Sequence, residues 1–414
     1  MKKIHYIILA VTIFFMLYFP PIININPLYI LFVISFFYLI GISIIKKKIR
    51  VSKFTTKIFL VLVMLIILEI TVSSANNLLS ISSINDLLFM VCSFVIVSIA
   101  IRNYCIIHSV TNNELFAVLI CVGLIQAIFS LTAYLNTGFQ SWFIQRMIDY
   151  GYEASRFSQI AEFRWYGMAT QLGFATPAIQ MVFALMCIKC GLEKSRKYYF
   201  AALLMIFSAI INARLSVFIL LSGIIIIFAD KFCKKISKNE GMKIFAFLIL
   251  GIIVAVILLE VMKRYSYNNY NWMVGGIKSF LGINTDLTGV FPVGNYFSNF
   301  DNYKLPDGIH IITGFGRHLH NTDMGYSTDI GFIIDIWKYG VIVSLILYIL
   351  IVCSFKRIKK IADNDFSYMP MMMSFLFVIC NLKGNIIFVT PISALYFFLI
   401  CAFPLYESKE KMEY

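Results

Sequence analysis

Long apolar runs broken by short polar stretches dominate the chain. They lie near residues 4–19, 27–45, 58–74, 85–101, 115–135, 171–190, 198–213, 215–229, 243–261, 330–352, 367–381 and 386–403. A helix rising 1.5 Å per residue needs roughly 20 apolar residues to cross about 30 Å of hydrocarbon. The pattern therefore predicts an all-α polytopic integral membrane protein with about 12 transmembrane helices, a single multi-pass domain over residues 1–414. Only Asn212-Ala213-Arg214 parts the seventh run from the eighth, which reads as a tight hairpin or as one long kinked helix; the charge pattern favours the hairpin. The segment Asn381 to Asn385 leaves the same ambiguity between the last two runs. The first run follows Met1-Lys2-Lys3 and ends at Pro20-Pro21 without a small-residue cleavage site, so it reads as an uncleaved span rather than a secretory signal.

Two stretches between the runs are long. Residues 136–170 and 262–329 exceed ordinary connections and are too rich in Trp, Tyr and Phe to read as disordered. Lys and Arg near spans are retained on the cytoplasmic side. With the N-terminus inside, the clusters Lys46 to Lys57, Lys194 to Lys197, Lys231 to Lys243 and Lys356 to Lys360 all fall inside, as does the C-terminus. Both long segments then become external loops, and chemistry is expected there.

Composition narrows the class further. Hydrophobic side chains make up 60% of the chain and charged ones 14%, with a mean hydropathy of +0.85; this excludes a water-soluble enzyme. A net charge of +14 in a soluble protein would point to nucleic acid. Here the excess falls on the inward segments, so it records membrane orientation and implies no nucleic-acid partner. The nine cysteines lie in spans or inward segments, which argues against a disulfide framework. Cys187 and Cys190 lack the second ligand pair of a zinc site.

The first long loop mixes Arg146, Arg156 and Arg164 with Asp149, Glu153 and Glu162, and with Trp142, Tyr150, Tyr152, Trp165 and Tyr166. Guanidinium groups bind phosphate bidentately and aromatic faces stack on sugar rings, so the mixture suits a pyrophosphate-linked saccharide. An amphipathic interfacial segment is the other reading. Arg214 stands between two short apolar runs, where a charge costs about 2.5–3.5 kcal/mol to insert. A phosphate at the outer headgroup level would repay that cost; snorkelling, or pairing with Glu69 or another carboxylate, is the alternative.

The second loop opens with Lys263-Arg264 and continues through Tyr270 and Trp272. It closes with Gly314-Phe315-Gly316-Arg317-His318-Leu319-His320-Asn321-Thr322-Asp323. A histidine titrates near neutrality and can accept a proton from a sugar hydroxyl, with Asp323 or Asp329 orienting it or acting as base itself. His318 and His320 lack a third ligand at metal spacing, so no metal is expected. Gly314-x-Gly316 has no preceding strand and no third glycine, which excludes a dinucleotide fingerprint. Glu69 and Lys338 lie within or at the edge of spans, and each reads as one half of a structural ion pair, its partner unassigned, rather than as a catalytic group.

This pattern resembles the bacterial O-antigen and capsule repeat-unit polymerases of the Wzy type, with the related O-antigen ligases close behind. Gly314-Phe-Gly316, Asp329-Ile-Gly331 and Tyr339-Gly340 look like the family's glycine signature, and Arg156 to Gly167 and Arg264 to Gly275 each match its Arg-x10-Gly spacing. His320-Asn321 to Gly331 fits a ligase motif, from which Ile334 departs. The resemblance implies a membrane glycosyltransferase of the bacterial inner membrane. It would join undecaprenyl-diphosphate-linked oligosaccharides on the outer face, among membrane lipids and with a chain-length regulator as partner, and would need no cofactor. It implies that Arg156, Arg164, Arg214, Arg264 and Arg317 hold the diphosphate. Trp165, Tyr270 and Trp272 would stack on sugar, and His320, His318, Asp323 and Asp329 would be the catalytic candidates. A ligase and a lipid-linked oligosaccharide flippase are the alternatives; a flippase is expected to carry charges through the bundle and to have short loops.

Overall fold

The computed structural model describes residues 2–22, 25–46, 48–78, 86–151, 164–170, 173–232, 303–317, 328, 330–361, 368–384 and 390–403, with a few helical positions between 256 and 275. No strand occurs among them. The helices are α1 (Lys2–Tyr18), α2 (Pro27–Lys46), α3 (Lys53–Ala75), α4 (Asp86–Ile107), α5 (Asn112–Leu135) and α6 (Thr137–Asp149). They continue as α7 (Ala175–Glu193), α8 (Lys197–Ile210), α9 (Leu215–Phe232), α10 (Gly331–Ile361), α11 (Met369–Asn381) and α12 (Pro391–Cys401). Among the described residues six helices are long and apolar enough to cross a membrane. The chain is a helical membrane protein.

Several starts follow from local chemistry. Ser52 Oγ accepts from Thr55 N at 3.1 Å at the head of α3, and Asn136 Oδ1 accepts from Phe139 N at 3.1 Å at the head of α6. At α5 the Glu114 carboxylate accepts from Thr111 N at 2.8 Å while Glu114 N donates to Thr111 Oγ1 at 3.3 Å, a reciprocal cap. Thr390 caps α12, and Pro391 occupies the first turn, where its missing N–H costs nothing.

The chain divides into two compact units. The first comprises Met1–Val122, Phe300–Asp363 and Met369–Tyr414. Its hub is α12, buried on nearly every side and packed against α1, α3, α4 and α10. A helix apolar all round belongs in an interior. By contrast α2 and α3 leave most of their apolar surface uncovered, as helices facing lipid do. Part of α4, Met90–Ile96, is π-helical, and its Phe94 lies between Phe19 and Phe397.

The second unit comprises Gly123–Asn299 and Asn364–Tyr368. Here α7 is the buried hub, with every residue from Ala175 to Cys190 enclosed and α8 and α9 packed on it. The break at Asn212 separates two helices: α8 ends at Ile210, α9 begins at Leu215, and a turn lies between. The first long loop opens as the helix α6, because Asn136 supplies an N-cap and Thr137 to Asp149 have helix-forming spacing. Described positions as far as Gly275 are helical, so helix reaches into the stretch read as the second loop.

Candidate functional site

In the second unit, a short segment from Arg164 to Thr170 is pinned by side chains from the surrounding elements. Asn212 Oδ1 accepts from Trp165 N at 2.6 Å, and its Nδ2 donates to Trp165 O at 2.8 Å, to Ser208 O at 2.8 Å and toward Ser130 Oγ at 3.0 Å. Gln126 Nε2 donates to Tyr166 O at 2.5 Å, and Gln140 Nε2 donates to Arg164 O at 3.2 Å. The Trp165 ring meets Tyr134 edge-on at 4.8 Å.

At Gly167 the backbone is left-handed, with φ +64°. A side chain there would begin 2.7 Å from Ser130 N and 3.1 Å from Gln126 Nε2. Only glycine lets the segment lie this close to α5. The second residue of the Arg-x10-Gly pair from Arg156 thus has a physical role, while Arg156 itself lies outside the described residues.

Two arginines lie within electrostatic reach of each other at this segment. Arg164 Nη1 donates to Tyr166 Oη at 2.8 Å, and Arg214 sits in the turn between α8 and α9, outside both helices. Burial first, and then the charge of Arg164, hold the Arg214 guanidinium down to about 10, so it stays cationic at neutral pH. Burial pushes the Tyr166 phenol up, against the opposing pull of Arg164. Two partly buried cations within electrostatic reach of each other make a favourable position for a doubly charged anion.

Arg264 lies elsewhere in this unit. It is exposed and its Nε stands 3.9 Å from Glu260 Oε1, one helical turn back, an ordinary surface pair. Tyr270 stacks on Tyr267 at 6.3 Å and takes Lys263 Nζ over its ring at 5.9 Å. Trp272 lies outside the described residues.

The first unit gathers the glycine signature around a break in α10. Gly340 is non-helical inside that helix, at φ +77° and ψ +165°, so the run read as one span from 330 to 352 is interrupted in its middle. Phe315 N donates to Trp337 O at 2.8 Å and Gly316 N to Lys338 O at 2.9 Å, docking the Gly314–Gly316 turn on carbonyls at the break. A Cβ on Gly314 would fall 2.5 Å from Lys338 O, and one on Gly340 would collide with Ile312 O. Gly316 is pressed onto Ser73 and Glu69 of α3 in the same way.

Beneath this crossing Lys338 Nζ lies 3.1 Å from Glu69 Oε1. The alternative partner considered for Arg214 is thereby engaged by a lysine. Asp335, fully enclosed, accepts from Tyr348 Oη at 2.7 Å.

Arg317 follows the turn. Its Nε is buried and has no hydrogen-bond partner among the described residues. His318, His320, Asp323 and Asp329 lie outside them. One histidine was missed by spacing: His310 forms the start of a single helical turn, His310–Thr313, and stacks on Phe315 at 4.1 Å, which stacks in turn on Trp337 at 5.3 Å. Its Nδ1 is buried without a hydrogen-bond partner among the described residues. No motif flags it, because the contact depends on the turn folding Phe315 back over the preceding helical turn.

Comparison with known protein families, with curated proteins and with solved structures finds no match.

Proposed function

We propose that this chain is a membrane glycosyltransferase that polymerises undecaprenyl-diphosphate-linked oligosaccharide repeat units. It acts on the outer face of a bacterial inner membrane, crosses it about 12 times and keeps both termini in the cytoplasm. The observation that carries the reading is the segment from Arg164, held by Gln126, Gln140 and Asn212, with Arg214 within electrostatic reach of Arg164. Charge that cannot relax away is what a diphosphate leaving group requires. The signature glycines support the reading too, since Gly314, Gly316 and Gly340 are each needed by a close backbone approach.

In this reading the acceptor hydroxyl oxygen attacks the anomeric carbon of the donor sugar as its proton passes to His320, with His318 the second candidate. The bond from that carbon to the diphosphate oxygen breaks, and its electron pair leaves with the diphosphate onto Arg164 and Arg214. The anomeric carbon inverts, because no carboxylate of the motifs stands as a covalent nucleophile. The test is the polymer ladder of a cell that depends on this protein. Arg164→Ala, Arg214→Ala and His320→Ala are expected to collapse it to single attached repeat units. An unchanged ladder in the two arginine variants would sink the diphosphate assignment, and loss of all attached units on gene deletion would point to a ligase.

A further inference from the structure

A second binding feature lies in the first unit, away from the glycine crossing. An apolar cavity of about 180 Å³ opens among α3, α10, α11 and α12. Its α3 wall is Phe54, Lys57, Ile58, Val61, Leu62 and Leu65, the spacing of one helix face. Apolar cavities of roughly 150 Å³ stay dry and take apolar guests, so water is not the natural occupant. The opening is lined by side chains that remain accessible, among them Leu350 and Cys353, and in a membrane protein such an opening faces lipid.

Three features select the guest. The α3 wall runs from Phe54 to Leu65, eleven steps of the helical rise or roughly 17 Å, which matches the hydrocarbon depth of one leaflet, about half of 30 Å. One end is basic: Lys57 lines the cavity and is exposed, and Lys53 is exposed one turn earlier on the same face. On α10 the cavity wall ends at Phe355 and the sequence continues at once into Lys356-Arg357. Basic pockets between membrane helices recognise anionic headgroups.

We propose that this groove binds one anionic diacyl phospholipid, with an acyl chain along Leu62 and Leu65 and its phosphate on Lys57. The single-leaflet depth favours a diacyl lipid over a polyprenyl chain, so the site is separate from the one that holds the donor substrate.

The test uses the full chain in nanodiscs containing phosphatidylglycerol and phosphatidylcholine in equal parts, extracted into mild detergent and weighed by native mass spectrometry. The wild type is expected to retain phosphatidylglycerol in preference to phosphatidylcholine. Lys57→Gln, a change at an exposed side chain that leaves folding intact, is expected to lower that preference roughly fivefold, the effect of one basic residue near an anionic surface. Cys353→Trp, which fills the opening, is expected to lower retention of both lipids. Equal retention by the wild type, an unchanged preference in Lys57→Gln, or displacement by added undecaprenyl phosphate would each overturn the assignment.

Discussion

Lys338 Nζ stands 3.1 Å from Glu69 Oε1, and the two side chains are 3% and 0% exposed. The pair joins α10 to α3 directly under the Gly314–Gly316 turn. Two charges withdrawn from water together are tolerable; one left alone is not.

Removing one partner is therefore expected to be far worse than removing both. Glu69→Gln or Lys338→Met should each cost about 3–5 kcal/mol, whereas Glu69→Leu combined with Lys338→Met should recover most of it. Thermal unfolding of the detergent-purified variants reads this. A double-variant loss equal to the sum of the two single losses would mean the pair is not coupled.

Gly340 and Gly308 make a matched contrast. Both have positive φ, but a Cβ at Gly308 meets nothing within 4 Å, while one at Gly340 collides with the Ile312 carbonyl. Gly308→Ala should cost about 1–2 kcal/mol, the left-handed penalty alone. Gly340→Ala adds backbone displacement to that penalty and should abolish polymer formation, as a ladder assay of the two variants would reveal.

Asn212 supplies the bonds that hold Trp165. Asn212→Ala leaves the Trp165 N–H and carbonyl without this partner, a loss of about 1–3 kcal/mol for each group that stays dry. Asn212→Asp keeps the acceptor but loses both N–H donors, and with them the contacts to Trp165 O, Ser208 O and Ser130 Oγ, so it should rescue little. A melting curve for Asn212→Asp that overlays the wild type would contradict the assigned network.

Arg214 carries a charge opposed by burial and by Arg164, and Arg214→Gln is expected to lower polymer synthesis at least tenfold, well beyond any change in the amount of folded protein. Arg214→Lys should restore little, since a point charge does not replace a bidentate fork. If Arg214→Gln melts earlier and the loss of synthesis tracks the loss of folded protein, Arg214 is a structural residue.

Much of the fold was legible. Helical spans announce themselves by apolar length, and the start of α5 by Thr111 and Glu114, because both signals are local. The helix α6 was readable from Asn136 in principle, but the polar residues along it masked the cap. The break at Gly340 was not readable, since the apolar pattern runs straight through it, and only the approach of Ile312 shows why a glycine must stand there.

The candidate site divides in the same way. Arg164 and Arg214 could each be singled out as charges with a cost, one by the outer side that the Lys and Arg pattern predicts for its loop and one by its apolar flanks. That they lie within electrostatic reach depends on Asn212 drawing residue 165 to the α8–α9 turn, across 47 residues of sequence, while Ser130 holds it to α5, across 35.

By itself, then, the sequence determined the helical membrane class, the rough placement of the apolar helices among the described residues and which side chains carry unusual charge, since each rests on hydrophobicity and short-range periodicity. Tertiary structure alone decided that Glu69 belongs to Lys338, that His310 stacks under the glycine turn, and that Arg164 and Arg214 share one place. Those pairings are set by close packing between distant segments, where a missing Cβ or a single amide fixes the approach, and no local pattern encodes them.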